Sequence, residues 1–126
     1  MFNSREMKEC YQTAHRLAVE IHRMTSALPL FAEDEEGRRV RKSSQSVTVH
    51  MIQALWHRGH DPMHLRFLVY AHTACEETME RLRLILDTRL LKQGDWVEYF
   101  LEEYAKLRSC LEGLLLNEER ETCLKN

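Results

Sequence analysis

Histidine side chains are concentrated around a Gly-His-Asp-Pro turn near the middle of the sequence. His57, His60 and His64 lie there, Asp61 falls between them, and His50 precedes them on the same predicted helix. Imidazole and carboxylate ligands at one helix junction could bind zinc or nickel. The spacing matches no recognised metal motif, however, and Asp61 is better placed to cap the next helix. An exposed polar turn is the favoured interpretation, and no cofactor is predicted.

Carboxylates form a second group of titratable side chains on the helix that follows. A di-iron bundle would need Glu-x-x-His on two helices, and the sequence contains no such motif. Glu76 and Glu80 are therefore predicted to lie on a solvated face, while the expectation for Glu77, a buried polar contact or an interface contact, comes from the family resemblance given below. His72 falls on an apolar stripe, where we expect a core histidine bonded to Glu76 at i+4.

The arrangements typical of nucleophilic catalysis are missing from the sequence. It has no G-x-S-x-G motif, and its four glycines are scattered, so they form no phosphate-binding loop. The four cysteines, Cys10, Cys75, Cys110 and Cys123, include no C-x-x-C pair, which favours reduced thiols. We therefore predict no enzymatic activity and no small-molecule substrate.

Hydrophobic periodicity places these side chains on long helices. Apolar residues recur at alternating steps of three and four, and proline or glycine interrupts the pattern at Pro29, Gly59, Pro62 and Gly94. The predicted helices cover about 3–28, 35–58, 62–91 and 96–118, followed by a polar tail expected to fray. Short connections and the lack of a strand pattern predict an all-α, antiparallel up-down-up-down four-helix bundle, with residues 1–126 forming one domain.

Composition limits the classes of function. The chain has 126 residues, of which 44% are hydrophobic and 30% charged, with a net charge of -2. No apolar run approaches the roughly 18 residues that span a membrane, and no leader pattern opens the sequence. We therefore expect a soluble, cytoplasmic protein without a chain-wide basic surface.

Basic residues are nevertheless clustered locally. In an up-down bundle, the start of the second helix and the end of the third lie at the same end. This would bring together Arg38, Arg39, Arg41, Lys42, Arg89 and Lys92. Such a patch could contact the phosphates of RNA or DNA, or another partner. The alternative is neutralisation by the acidic run at residues 33–36.

The third and fourth predicted helices carry more apolar surface than one core stripe requires. Phe67 and Tyr70 lie beside the stripe of the third helix, and Trp96 and Tyr99 lie outside that of the fourth. Soluble monomers rarely expose a large continuous apolar patch. These residues therefore predict a subunit interface, and we expect a closed cyclic homo-oligomer.

Several runs resemble one protein family. They are residues 18–26 (AVEIHRMTS), 39–54 (RVRKSSQSVTVHMIQA) and 65–71 (LRFLVYA), together with Glu77. In their order along the chain they resemble the "four helix bundle protein" family, also called the ribosomal RNA intervening-sequence protein family. The chain departs from the family pattern at residues 50–54, which read HMIQA where the family usually has NIAEG.

The resemblance implies a homo-oligomeric bundle, a pentameric ring in known members, without recognised catalytic activity. A related branch is the accessory variability determinant of diversity-generating retroelements, which binds a reverse transcriptase and nucleic acid through a basic surface. The sequence thus predicts a non-enzymatic, self-associating interaction protein. The alternative is an accessory protein that binds nucleic acid and a reverse transcriptase.

Overall fold

A computed structural model describes residues 4–28, 35–57, 62–88 and 95–125. These residues form helices α1 (Ser4–Ala27), α2 (Glu35–Trp56), α3 (Pro62–Thr88) and α4 (Asp95–Lys125). The described residues contain no strand. The predicted all-α class is therefore confirmed.

The helix starts follow local sequence signals. Glu35 and Glu36 occupy the first turn of α2, where carboxylates stabilise the positive end of the helix dipole, as predicted. Pro62 is the first residue of α3, a position at which a missing backbone N–H costs nothing. The predicted cap Asp61 lies outside the described residues.

Two helix ends differ from the prediction. α2 ends at Trp56, and a turn follows at His57. α4 continues to Lys125, so the prediction of a frayed tail from about residue 118 is wrong. The reason is composition: the tail is rich in Glu, Arg, Leu and Lys and contains neither glycine nor proline, and those residues favour helix even when polar. The predicted end of the third helix, residues 89–91, lies outside the described part.

Each helix packs against two others, in the order α1–α2, α2–α3, α3–α4 and α4–α1. Contacts between chain-distant residues show the antiparallel directions. Arg41, near the start of α2, donates to Thr25 near the end of α1 at 2.9 Å. Cys75 in α3 donates to the Tyr104 carbonyl oxygen of α4 at 3.5 Å. The four-helix bundle is confirmed, with the α2–α3 interface the most extensive and α1–α4 the least.

Small hydroxyl residues allow α2 and α3 to approach closely. Ser43, Ser44 and Thr78 are all buried. The Thr78 hydroxyl lies 3.0 Å from that of Ser43 and 2.8 Å from the Ala74 carbonyl oxygen. Because each buried hydroxyl has a partner, this polar seam avoids most of the cost of desolvation. Around it the core is built by apolar residues from all four helices, including Leu17, Met51, Leu68, Leu82, Phe100 and Leu111.

A disulfide bond joins the first helix to the last. Cys10 of α1 and Cys110 of α4 are bonded, with Cα atoms 6.5 Å apart. The prediction of reduced thiols is therefore wrong for this pair, because antiparallel packing brings together cysteines that are 100 residues apart in sequence. Cys75 is free and buried, as expected, and the side chain of Cys123 lies outside the described part.

None of the described helices is both long enough and apolar enough to cross a bilayer.

Candidate interaction surface

One of the histidines predicted to belong to an exposed polar turn is buried. His64 is 3% exposed, so that prediction is wrong for this residue, whereas the turn at 58–61 lies outside the described residues. Its Nδ1 lies 2.8 Å from the Ala54 carbonyl oxygen, and its Nε2 lies 3.0 Å from Oε1 of Glu118. Both ring nitrogens therefore have protein partners, which argues against a role in metal binding. His60 lies outside the described residues, and within them no group of His, Cys, Asp and Glu could hold a metal ion.

The ring of His64 connects α3 to two other helices. A carbonyl oxygen only accepts, so Nδ1–H of His64 donates to Ala54 of α2. Its Nε2 faces Oε1 of Glu118 in α4. The contact between His64 and Glu118 ties the start of α3 to α4.

His72 marks the seam between α3 and α4. Its Nδ1 lies 3.3 Å from Glu76, which confirms the predicted contact, and its Nε2 lies 3.6 Å from Glu112. Its side chain is 22% exposed, so the prediction of a core position is wrong. Glu77 is exposed and pairs with Arg81 at 3.0 Å, so the prediction of a buried contact is also wrong. Glu76 and Glu80 are exposed, as predicted.

The free thiol is placed for packing. Burial raises the pKa of Cys75 to about 12. Its Sγ donates to the Tyr104 carbonyl oxygen in the core. A reactive cysteine is a thiolate near neutral pH and is reached by solvent, and Cys75 has neither property.

The predicted basic patch divides into different environments. Arg39 pairs with Glu35 and Glu36, as the alternative of acidic neutralisation predicts. Arg41 donates to Thr25, whereas Arg38 and Lys42 are exposed. Arg89 and Lys92 lie outside the described residues, so the predicted cluster of six is not assembled in the described part.

The described carboxylates of α1 lie on the side of the helix that faces α4. Glu6 and Glu9 line grooves between α1 and α4, and Glu20 accepts a hydrogen bond from Tyr99 of α4. The opposite side, between α1 and α2, holds a groove of about 490 Å³. It is lined by His15, Ala18, Val19, His22, Arg23, Gln45, Thr48 and Val49. The α1–α2 groove therefore combines apolar, imidazole and cationic groups without a carboxylate.

Aromatic rings follow the outer side of the α2–α3 seam. The rings of Phe67 and Tyr70 are 6.1 Å apart. Tyr70 packs against His50 at 5.4 Å, and Phe67 packs against His57 at 5.2 Å. Tyr70 is 43% exposed.

Two apolar side chains extend this row along the outside of α2. Val49 and Trp56 are 49% and 73% exposed. We call the set Val49, His50, Trp56, His57, Phe67 and Tyr70 the α2–α3 aromatic surface. Val49 also lines the α1–α2 groove, so the aromatic surface and the groove adjoin across α2.

The other two predicted interface residues do not belong to this surface. Trp96 is only 8% exposed and packs against Phe100, with ring centroids 6.3 Å apart. Its spacing of four from Phe100 puts it on the core stripe, so the prediction of an outward Trp96 is wrong. Tyr99 is exposed, but it lies at the α1–α4 seam, where it contacts Arg16 and Glu20.

The chain matches a known family in the region that forms this bundle. The model of the family described as 23S rRNA-intervening sequence protein matches residues 6–113. The chain belongs to this family. The match covers α1, α2, α3 and most of α4, and it confirms the resemblance read from the sequence.

A solved structure supports the fold. The chain is similar to the crystal structure of a protein of unknown function from the S23 ribosomal protein family of Bacteroides thetaiotaomicron, with a TM-score of 0.78 and 15% identity. The similarity covers 87% of this chain and 97% of that chain. At this identity the likeness shows the fold alone. No curated protein matches the chain.

In this family member, the sequence analysis did not predict that Val49, His50 and Trp56 form part of an exposed surface. For Val49 and Trp56, the spacing from buried residues indicates their outward position. Val47 and Ala54 are buried seven residues apart, and Val49 and Trp56 each follow one of them by two positions. Two residues correspond to about 200° around a helix, so these apolar side chains must point away from the core.

Proposed function

We propose that this protein is a non-enzymatic interaction protein that self-associates through the α2–α3 aromatic surface into a closed cyclic homo-oligomer. Trp56, which is 73% exposed, is the observation that carries the proposal, because a large apolar side chain on the outside of α2 is left uncovered within one chain. A pentamer is the form that the family resemblance implies. The α2–α3 aromatic surface would supply one side of each contact between neighbouring subunits of the cyclic oligomer.

The composition of this surface suits an interface. Tryptophan and tyrosine are the residues that most often dominate binding energy, and charged groups are depleted at interface centres. α2 carries no carboxylate after Glu36, so an approaching copy would not have to desolvate one on this helix. Burying Trp56 and Tyr70 would remove apolar area from water at a low cost in side-chain entropy.

Substituting Trp56 or Tyr70 by Glu is expected to split the oligomer. A buried aromatic anchor contributes about 2 kcal/mol or more to an interface, so association should weaken at least about 30-fold. Light scattering with size-exclusion chromatography at micromolar concentration gives the mass, and circular dichroism checks that the helices remain.

The matched control for these variants is Val69→Glu. Val69 is 45% exposed and adjoins Tyr70 in sequence, but it points about 100° away around α3. This variant should keep the wild-type mass. A wild-type protein that remains monomeric even at about 100-fold higher concentration would remove the proposal, because interfaces of this kind hold at such concentrations.

Nucleic-acid binding is a second candidate, favoured by the cations beside the α1–α2 groove. Arg23, Arg38 and Lys42 are exposed, and the sequence of α2 from Gly37 onward contains no acidic residue. Phosphate contacts need cations that are free of neighbouring carboxylates. Such binding would favour the accessory role over self-association alone.

An electrophoretic shift titration with structured RNA and duplex DNA tests this candidate. Binding should weaken steeply with salt, and Arg38→Glu with Lys42→Glu should weaken it further and reduce the salt dependence. Lys106→Glu, at the α1–α4 seam, is the control for the single variant Lys42→Glu, which makes the same charge change. The absence of any shift at low salt would exclude this role.

A further inference from the structure

We propose that acid dissociates the self-associated protein, because histidines flank the C-terminal half of α2 on two sides. The inference rests on the proposed function and names the regulation of the same surface. His50 and His57 belong to the α2–α3 aromatic surface, and His15 and His22 line the adjoining groove. Imidazole is the side chain that changes charge between about pH 5 and 8.

The imidazole rings inside the surface are held in place by contacts within one chain. Nδ1 of His50 lies 2.8 Å from Oε1 of Gln53. An amide oxygen only accepts, so Nδ1–H of His50 donates to Gln53. The His50 ring packs against Tyr70, and the His57 ring packs against Phe67. A second copy that covers these rings would exclude water from them.

His15 and His22 extend the same chemistry across α2. Both belong to α1 and line the α1–α2 groove together with the apolar residues Ala18, Val19 and Val49. His15 also stacks against Tyr11, with ring centroids 6.2 Å apart. A copy that packs against Val49 and Trp56 would therefore approach imidazoles on both sides of α2.

The charged groups around these histidines offer little compensation for added protons. On α1, Arg23 lines the groove and adds positive charge. On α2, Lys42 is exposed, and no carboxylate follows Glu36. On α3, Glu77 is seven residues from Tyr70 and therefore on the same side of that helix, and it is already paired with Arg81 at 3.0 Å. New protons would therefore create cations that an apolar contact cannot bury without cost.

The experiment measures self-association of the intact chain at pH 7.5 and pH 5.5 by light scattering, with circular dichroism at both values. The dissociation constant should rise at least about tenfold on acidification. The combined variant His50→Asn and His57→Gln should associate at both pH values with a reduced response. His72→Gln, at the α3–α4 seam, is the control and should respond as the wild type does.

The outcomes separate the two proposals. A wild-type protein that is monomeric at both pH values contradicts the self-association itself. Association that is equal at both values, or stronger in acid, overturns the pH inference and leaves self-association standing. If the His50 and His57 variant fails to associate at pH 7.5, the variant His15→Gln with His22→Gln takes its place. A full wild-type response in that variant would also overturn the inference.

Discussion

Reducing the Cys10–Cys110 disulfide is expected to cost more stability than any other single change considered for this chain. The bond closes a loop with a sequence separation of 100 residues. In the chain-entropy account, a cross-link of this size destabilises the unfolded chain by about 4 to 5 kcal/mol. Reduction should therefore lower the free energy of unfolding by most of that amount.

The position of the bond strengthens the expectation. It crosses the α1–α4 interface, which is the least extensive of the four. The ion pair across this seam, Arg16 with Glu103 at 3.3 Å, is partly exposed. Exposed pairs of this kind contribute about 0 to 1 kcal/mol. They cannot replace the covalent link.

Urea unfolding with and without a thiol reductant measures the effect. Cys10→Ser and Cys110→Ser should each reproduce the loss, and combining them should add little, because both remove the same bond. The reductant should not alter the unfolding of Cys10→Ser, which controls for effects on Cys75. A loss below about 1 kcal/mol on reduction would show that the entropy model does not describe this chain.

The bundle was predictable because the buried face of each helix appears in the sequence as apolar residues with the helical period. On α2, Val40, Val47 and Met51 recur with the helical period, and all three are buried. Pro62 marked the start of α3 by its own covalent geometry. Such signals depend only on residues within one or two turns, so a single sequence displays them.

The disulfide and the buried histidine were not predictable because their partners are distant in sequence. Cys110 meets Cys10 only after the bundle has closed. His64 meets Glu118 for the same reason, although both residues lie in polar stretches that look exposed. No local pattern separates these side chains from solvated ones.

The candidate surface was predictable only in part. Phe67 and Tyr70 were identified from the surplus of apolar residues on the third helix, and the structure places them together. Trp96 was assigned to the wrong side: its spacing of four from Phe100 places it on the core stripe, and it is only 8% exposed. The contribution of α2 was missed because Val49 and Trp56 lie off the buried stripe of that helix and are separated from each other by seven residues.

The second large effect is expected from removing His64. This side chain is 4% exposed, and its partner Glu118 is 15% exposed. His64→Ala removes a buried ring together with its contacts to the Ala54 carbonyl oxygen and to Glu118, and each buried polar group that loses such a contact costs about 1 to 3 kcal/mol. We therefore expect His64→Ala to lower the free energy of unfolding by about 3 kcal/mol. His72→Ala is the control, and it should cost no more than about 1 kcal/mol, because its partner Glu76 is 54% exposed.

A double-mutant cycle isolates the contact itself. His64→Ala and Glu118→Ala together should destabilise less than the sum of the single variants, with a coupling of about 1 to 3 kcal/mol. Ending the chain after Asn117 should cost at least as much as Glu118→Ala, because it removes the same contact between α4 and the start of α3. If His64→Ala costs no more than His72→Ala, the imidazole does not tie the start of α3 to α4. The extension of α4 past residue 118 would then rest on helix propensity alone.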